Sequence, residues 1–394
     1  MSNGEMGPVP RARPCVGDVL PHLIAIVAFV VCVCRFYDAR TGFTSLIGFG
    51  SRFAPQTVAA VQALPRHVHR RSSGYDGQFY AQIATDPLLR DPATDRAMDD
   101  MPLRARRILF AWTAYAAGLG RPWWILQAYA LQNVVCWLAL SLLLWRWFPP
   151  GTARMTALWI ATMFGGGVLW SVRHALLDVP SLLLIASAVA AIERGRTWVT
   201  TALLSVASLG RETNLLALST LLPARWSWRA AAKATLQTIV VVAPLLIWFD
   251  YLYSLYRDRI YTSGGTMSLP FSGLAWKAGI LWNGVAERGI GALVNPSVLT
   301  LISLLVQTSY VIARIDWKNA WWRLGVAYAA LFVCLGRPLW EGEPPTAMRV
   351  TIPLALAFNV LLRDCDDPRR FWPLVVAGNL TVLYGPALLR VFGQ

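Results

Sequence analysis

The densest run of side chains able to do chemistry is residues 72–87, SSGYDGQFYAQIATDP. Gly74 and Gly77 bracket Tyr75 and Asp76, so the backbone can turn sharply there and leave a carboxylate exposed just before a short helix running to Ala84. Asp86-Pro87 ends that helix. A carboxylate so placed can cap the helix, or it can serve as a general base. The motif alone leaves both uses open. Tyr75, Gln78, Tyr80 and Asp86 are the substrate-binding candidates of this run.

A second acidic site is offered by His174-Ala175-Leu176-Leu177-Asp178-Val179-Pro180, with Arg173 beside it. Cations able to hold a phosphate are Arg173, Arg211 in GRETN, and Arg349 in AMRVTIPLAL. A guanidinium suits a multidentate oxyanion contact, although lysines are few here (Lys233, Lys277, Lys318), so the choice of Arg carries little weight. Arg211 could equally pair with Glu212 or snorkel to the interface. His174 and Glu212 are further substrate-binding candidates, Glu341 and Glu343 weaker ones, and EGEPP reads as a solvated loop. His67 and His69 are flanked by Arg70 and Arg71, which would repel a divalent ion. No cofactor is expected, and a metal held between Asp76 and Asp178 is not favoured among so many arginines. Walker A, HExxH and GxSxG motifs are absent from the sequence.

The elements that must position these residues are membrane spans. The chain has 394 residues, 56% of them hydrophobic and only 14% charged, which places it in a bilayer. Apolar segments fall at about 19–34, 123–145, 153–172, 179–193, 197–210, 213–224, 234–250, 290–312, 323–336, 350–362 and 371–390. This predicts a single all-α polytopic membrane domain, 1–394, with about eleven transmembrane helices and no cleavable signal peptide. With residues 1–18 cytoplasmic, the inner connections are RWFPPGTAR, ERGR, PARWSWRAAAK, ARIDWKNAWWR and RDCDDPRR, each rich in Arg or Lys. The positive-inside rule is met at every turn. It explains the net charge of +15 without nucleic acid, because the basic residues are scattered through short loops.

Residues 105–120 would upset that pattern as a span, so they read as an amphipathic or re-entrant helix within a large outer loop, 36–122, built of short interfacial helices. A second outer loop covers 251–289, its aromatics suited to anchoring in the headgroup zone. Gly165, Gly166 and Gly167 read as a close helix-packing point. The tryptophans cluster near span ends, as interface anchors do, and the six cysteines suggest no disulfide framework.

Tyr75-Asp76-Gly77-Gln78-Phe79-Tyr80 followed by Asp86-Pro87 resembles the first-loop acidic motif of the GT-C class of membrane glycosyltransferases, especially a bacterial family of predicted cell-surface glycopolymer formation proteins. The turn bearing Asp178 and Pro180 is similar to one in lipid A aminoarabinose transferases, with protein O-mannosyltransferases as more distant relatives. Arg349 matches the Arg-containing start of a late helix in the same class. The resemblance covers about the first 220 residues and that late segment, and the large C-terminal domain of the aminoarabinose transferases has no counterpart.

The resemblance implies a GT-C-like bundle with Asp76 as catalytic base and Asp178 as a second carboxylate at the site. It implies transfer of a sugar from a polyprenyl-phosphate-linked donor to a glycan, lipid or protein acceptor, with inversion, in cell-surface glycan or glycopolymer synthesis. The expected location is the inner (cytoplasmic) membrane, multi-pass, with the site facing the periplasm or exterior and membrane lipids as partners. Physically, such a transfer needs a base for the acceptor hydroxyl and cations for the leaving phosphate, itself a weak base that needs no general acid. Two other classes remain open. A transporter or lipid flippase would place charges at mid-membrane depth and often shows internal repeats, which are not evident here. A noncatalytic subunit of a glycan assembly complex would need neither Asp76 nor Asp178.

Overall fold

The structure, a computed structural model, describes residues 16–257, 266–289, 291, 295–342 and 344–389. Most of the expected cytoplasmic segment 1–18, part of the second outer loop and Glu343 lie outside the described residues. The chain is mostly helical. The named strands among the described residues are Phe49–Gly50 and Val68–His69, a parallel pair of two residues each.

Among the described residues, four helices are long and apolar enough to cross a membrane: Val16–Cys34, Pro122–Arg146, Trp228–Tyr256 and Pro296–Ala313. The number rises to six if Ala153–Met163 with Gly166–Arg173, bent by 43°, and Pro368–Gly378 with Leu380–Leu389, bent by 59°, each count as one span. Asp178–Ile192, Thr197–Ser208, Ala320–Val333 and Ile352–Leu362 are apolar but shorter. The eleven apolar segments expected from the sequence therefore correspond to elements of several kinds. One of them, near 213–224, is the 3-10 run Glu212–Leu221. A 15-residue helix such as Asp178–Ile192 rises only about 22 Å, short of the roughly 30 Å of hydrocarbon. Such short helices pack among others: Val179, Leu182, Ile185, Ala188 and Val189 are all buried.

The apolar surface of the outermost helices is open, as a lipid-facing surface requires. Ile24, Val27 and Val31 on Val16–Cys34, and Ile239, Leu246 and Ile247 on Trp228–Tyr256, are all exposed. The tryptophans correct the sequence expectation. Trp124, Trp198, Trp226 and Trp228 are exposed near element ends, but Trp137, Trp147, Trp159, Trp321 and Trp340 are among the largest fully buried side chains. Trp137 stacks on Phe29 at 3.7 Å and donates its indole N–H to the Met163 carbonyl. A buried indole is stable only when its one donor is satisfied in this way.

The segment 36–122 folds into short elements, including the helices Gly77–Ile83, Pro92–Arg96, Met101–Ala105 and Leu109–Ala117. Leu109–Ala117, within the stretch expected to be interfacial or re-entrant, has nine residues and turns back on Pro122–Leu143. Nine residues rise about 14 Å, too little for a span. Long-range contacts tie these elements to the spans. Gln127 accepts from the Phe43 amide, Trp248 donates to the Ala105 carbonyl, and Tyr251 donates to the Leu88 carbonyl.

Candidate functional site

The two glycines of the Asp76 motif are fixed by geometry. Gly74 has φ +73°, and a Cβ there would lie 2.5 Å from both the Gly48 carbonyl oxygen and the Gly50 nitrogen. At Gly77 a Cβ would lie 2.3 Å from the His174 carbonyl oxygen and 2.7 Å from that of Ile47. The absence of a side chain at Gly77 thus lets the start of Gly77–Ile83 press on the turn that leads to Asp178. The Tyr75 ring seals the same junction by stacking on His174 at 4.3 Å, with Trp170 against both rings.

That turn is braced from below. Ala175 takes a left-handed φ of 45°, and the Ser171 hydroxyl accepts from the Val179 amide while donating to Asn133, whose own amide donates to the Leu176 carbonyl. Ser171 and Asn133 are fully buried, so each must be satisfied, and this arrangement satisfies both. Arg349 arrives from the helix Ala347–Val350, which approaches Gly166–Arg173 closely. A Cβ at Gly167 would lie 2.6 Å from the Met348 carbonyl oxygen, so the glycine triplet is the packing point for the segment that carries Arg349.

The carboxylate of Asp76 makes no capping bond to the helix it precedes. It faces arginines instead: Arg104 at 2.9 Å and Arg349 at 3.7 Å. Asp178, at 3% side-chain exposure, pairs closely with Arg211 and lies 3.4 Å from Arg349, so a single guanidinium bridges the two acids. Asp76 keeps 33% of its side chain exposed and is the accessible member of the pair. Burial pushes the Asp76 carboxyl up, but Arg104 and then Arg349 outweigh it and hold the group below the ordinary carboxylate value.

These groups open onto a cavity of about 520 Å³ whose wall includes Asp76, Tyr80, Asp178, Arg211, Glu212 and Arg349 together with Arg104, Arg106 and Arg107. Five arginines and three carboxylates line this wall, with Asp99 engaging Arg104 from outside it. The rest of the wall is largely apolar, with Leu103, Leu176, Leu177, Leu215, Leu216, Leu331, Leu335 and Leu339. Tyr80 receives a hydrogen bond from Arg107, which also pairs with Glu212 at 3.0 Å. Among the described residues, the buried Nε groups of Arg211 and Arg349 have no acceptor, a donor surplus that an anion would relieve.

Other residues singled out by sequence lie outside that wall. Tyr75 supports Arg349 from below, with its ring centroid 5.4 Å from the guanidinium carbon. Gln78 is buried and spends its amide on the Gly50 N–H and the Ser73 carbonyl. Asp86 accepts from the backbone amides of Arg90 and Asp91. Arg173 donates to the Ser45 carbonyl and lies over Phe36, and His174 is buried between Tyr75 and Trp170. Arg337 pairs with Glu341 outside the cavity.

Sequence reading missed Arg104, Arg106, Arg107 and Asp99. Arg104 is gripped by Asp99 through two contacts of 2.8 and 3.0 Å, and its helix is capped by the Asp100 side chain. The signal was present as DDMPLRARR, two acids followed by a basic run inside an otherwise apolar segment. Among the described residues, no three His, Cys, Asp or Glu side chains are grouped as a metal site requires, and Asp76 and Asp178 both face guanidinium groups.

No family model matches the chain, and no curated protein matches it. Among solved structures, that of ArnT from Cupriavidus metallidurans in the apo state is similar at a TM-score of 0.46 and 16% identity, covering 94% of this chain and 66% of that one. The match thus spans a little under two thirds of the ArnT chain. A likeness this slight leaves the reading of activity to the site's own geometry.

Proposed function

We propose that the chain is a membrane glycosyltransferase that moves a sugar from a polyprenyl-phosphate-linked donor to the hydroxyl of a glycan, lipid or protein acceptor at the outer face of the cell membrane. The observation that carries this reading is a cavity combining a partly exposed carboxylate, five arginines and a leucine-rich wall. A donor of this kind has the same three parts: a reacting sugar, an anionic phosphate and an isoprenoid tail. The leucines suit the tail, and the guanidinium groups of Arg211 and Arg349 suit the phosphate.

In this reading Asp76 removes the acceptor proton, the acceptor oxygen forms a bond to the anomeric carbon, and the bond from that carbon to the phosphate oxygen breaks. The electron pair leaves with the polyprenyl phosphate. One displacement inverts the anomeric centre, and the cell-surface glycan is the product class. Asp178, buried against Arg211 and close to Arg349, acts by positioning those two cations. Asp76→Asn in the full-length protein, assayed with a radiolabelled polyprenyl-phosphate sugar, should lower transfer by at least about 100-fold, the usual contribution of a general base. Transfer at the wild-type rate by a folded Asp76→Asn protein would sink the assignment.

A further inference from the structure

Arg349 differs from Arg104, Arg107 and Arg211 in how it is held. Arg104 has Asp99 as a two-point partner, and Arg107 has Glu212 at 3.0 Å. Arg211 sits tightly on Asp178. Among the described residues, Arg349 has no private carboxylate. It reaches Asp76 at 3.7 Å and Asp178 at 3.4 Å, both beyond the 2.7–2.9 Å or so of a tight charge-assisted bond, and its buried Nε has no partner. The Tyr75 ring lies against its guanidinium, 5.4 Å from centroid to guanidinium carbon.

The transfer proposed above moves charge in a particular way. A donor phosphodiester carries one negative charge, and the departing monoester carries two. Asp76 begins as an anion and ends as a neutral acid. The total charge in the cavity does not change; one unit passes from the carboxylate to the phosphate. A carboxylate fully committed to cations is a weak base, and a phosphate without them is a poor leaving group. Both needs are met by a cation that lets go of the first as it takes up the second.

We propose that Arg349 is that exchanging cation, pairing with Asp76 in the ligand-free chain and passing to the donor phosphate, so that phosphate binding takes one of two cations off the base, Arg104 remaining at 2.9 Å, and proton uptake by the base completes the hold on the leaving group. The proposal rests on the transferase reading. It makes catalysis donor-first: an acceptor alone meets a carboxylate that still faces both Arg104 and Arg349.

The exchange predicts competition between Asp76 and a phosphate for one guanidinium. The full-length detergent-purified protein should bind farnesyl phosphate, and Asp76→Asn should bind it roughly tenfold more tightly, the equivalent of one charged contact of about 1.4 kcal/mol no longer to be broken. Glu212→Gln removes the same charge from the same cavity without touching Arg349, and should tighten binding clearly less. In an Arg349→Gln background the gain from Asp76→Asn should vanish, which separates a specific exchange from general electrostatics. Equal tightening by Asp76→Asn and Glu212→Gln, or a gain that survives Arg349→Gln, overturns the exchange and leaves the transferase reading standing. Failure of every folded form to bind farnesyl phosphate overturns both.

Discussion

The helix Asp178–Ile192 carries a charge site at each end, and the two differ in kind. At its start, Asp178 is 3% exposed, is shared by Arg211 and Arg349, and lines a cavity with unsatisfied guanidinium donors. Just past its end, Glu193 pairs with Arg146 at 2.9 Å and takes the Trp147 indole N–H, with both ionic partners 29% exposed. The residue types are alike. At the far end each charge has water and a partner, so the pair serves solubility and orientation. At the near end charge is held out of water and divided among several partners, an arrangement stable only while all remain and able to admit another anion.

Substitution should break this contrast most visibly at Asp178. Asp178→Asn strips the buried Arg349 and the mostly buried Arg211 of a carboxylate and should cost about 3–5 kcal/mol, read as a large fall in the unfolding temperature in detergent. Arg349→Lys keeps the charge but loses the planar fork, and the KM for the lipid-linked donor should rise about tenfold. Glu193→Gln at the opposite end should change stability by no more than about 1 kcal/mol and leave transfer untouched. A loss of transfer there would erase the distinction between the two ends.

The smallest effect expected is on pH dependence. Asp76 titrates below its ordinary value when folded, so its contribution to stability is complete above the unfolded value of about 3.9 and is lost as pH falls through the folded one. Between pH 6 and 3 the unfolding temperature of Asp76→Asn should therefore fall less than that of the wild type. An identical fall would show that the pairing with Arg104 and Arg349 adds nothing to the folded state.

What could be read from the sequence is what local spacing encodes. Gly74-Tyr75-Asp76-Gly77 announces a turn that presents an acid, and the apolar runs mark out the helices. The acid's partners could not be read in the same way. Arg104 and Arg107 belong to a basic run in a long loop, where charge normally means solvation, and only the tertiary fold brings them to Tyr80, Asp76 and Glu212. Gln78 looked available for a substrate because nothing in its neighbourhood shows that Gly50, 28 residues earlier, takes up its amide oxygen. The number of full-width spans was hidden for a related reason: hydropathy reports burial in protein and burial in lipid alike, so short buried helices such as Ile352–Leu362 give the same signal as longer crossings.

The contact at Gly77 carries a consequence for how the molecule can vary. A Cβ would lie 2.3 Å from the His174 carbonyl oxygen, and that oxygen belongs to rigid backbone with no flexible tip to yield. One methyl group inserted there would wedge apart the two segments bearing the acids without removing any ionisable group. The spacing of the charges is thus gauged by an uncharged atom that is missing, and even alanine at this position would throw the site out of register.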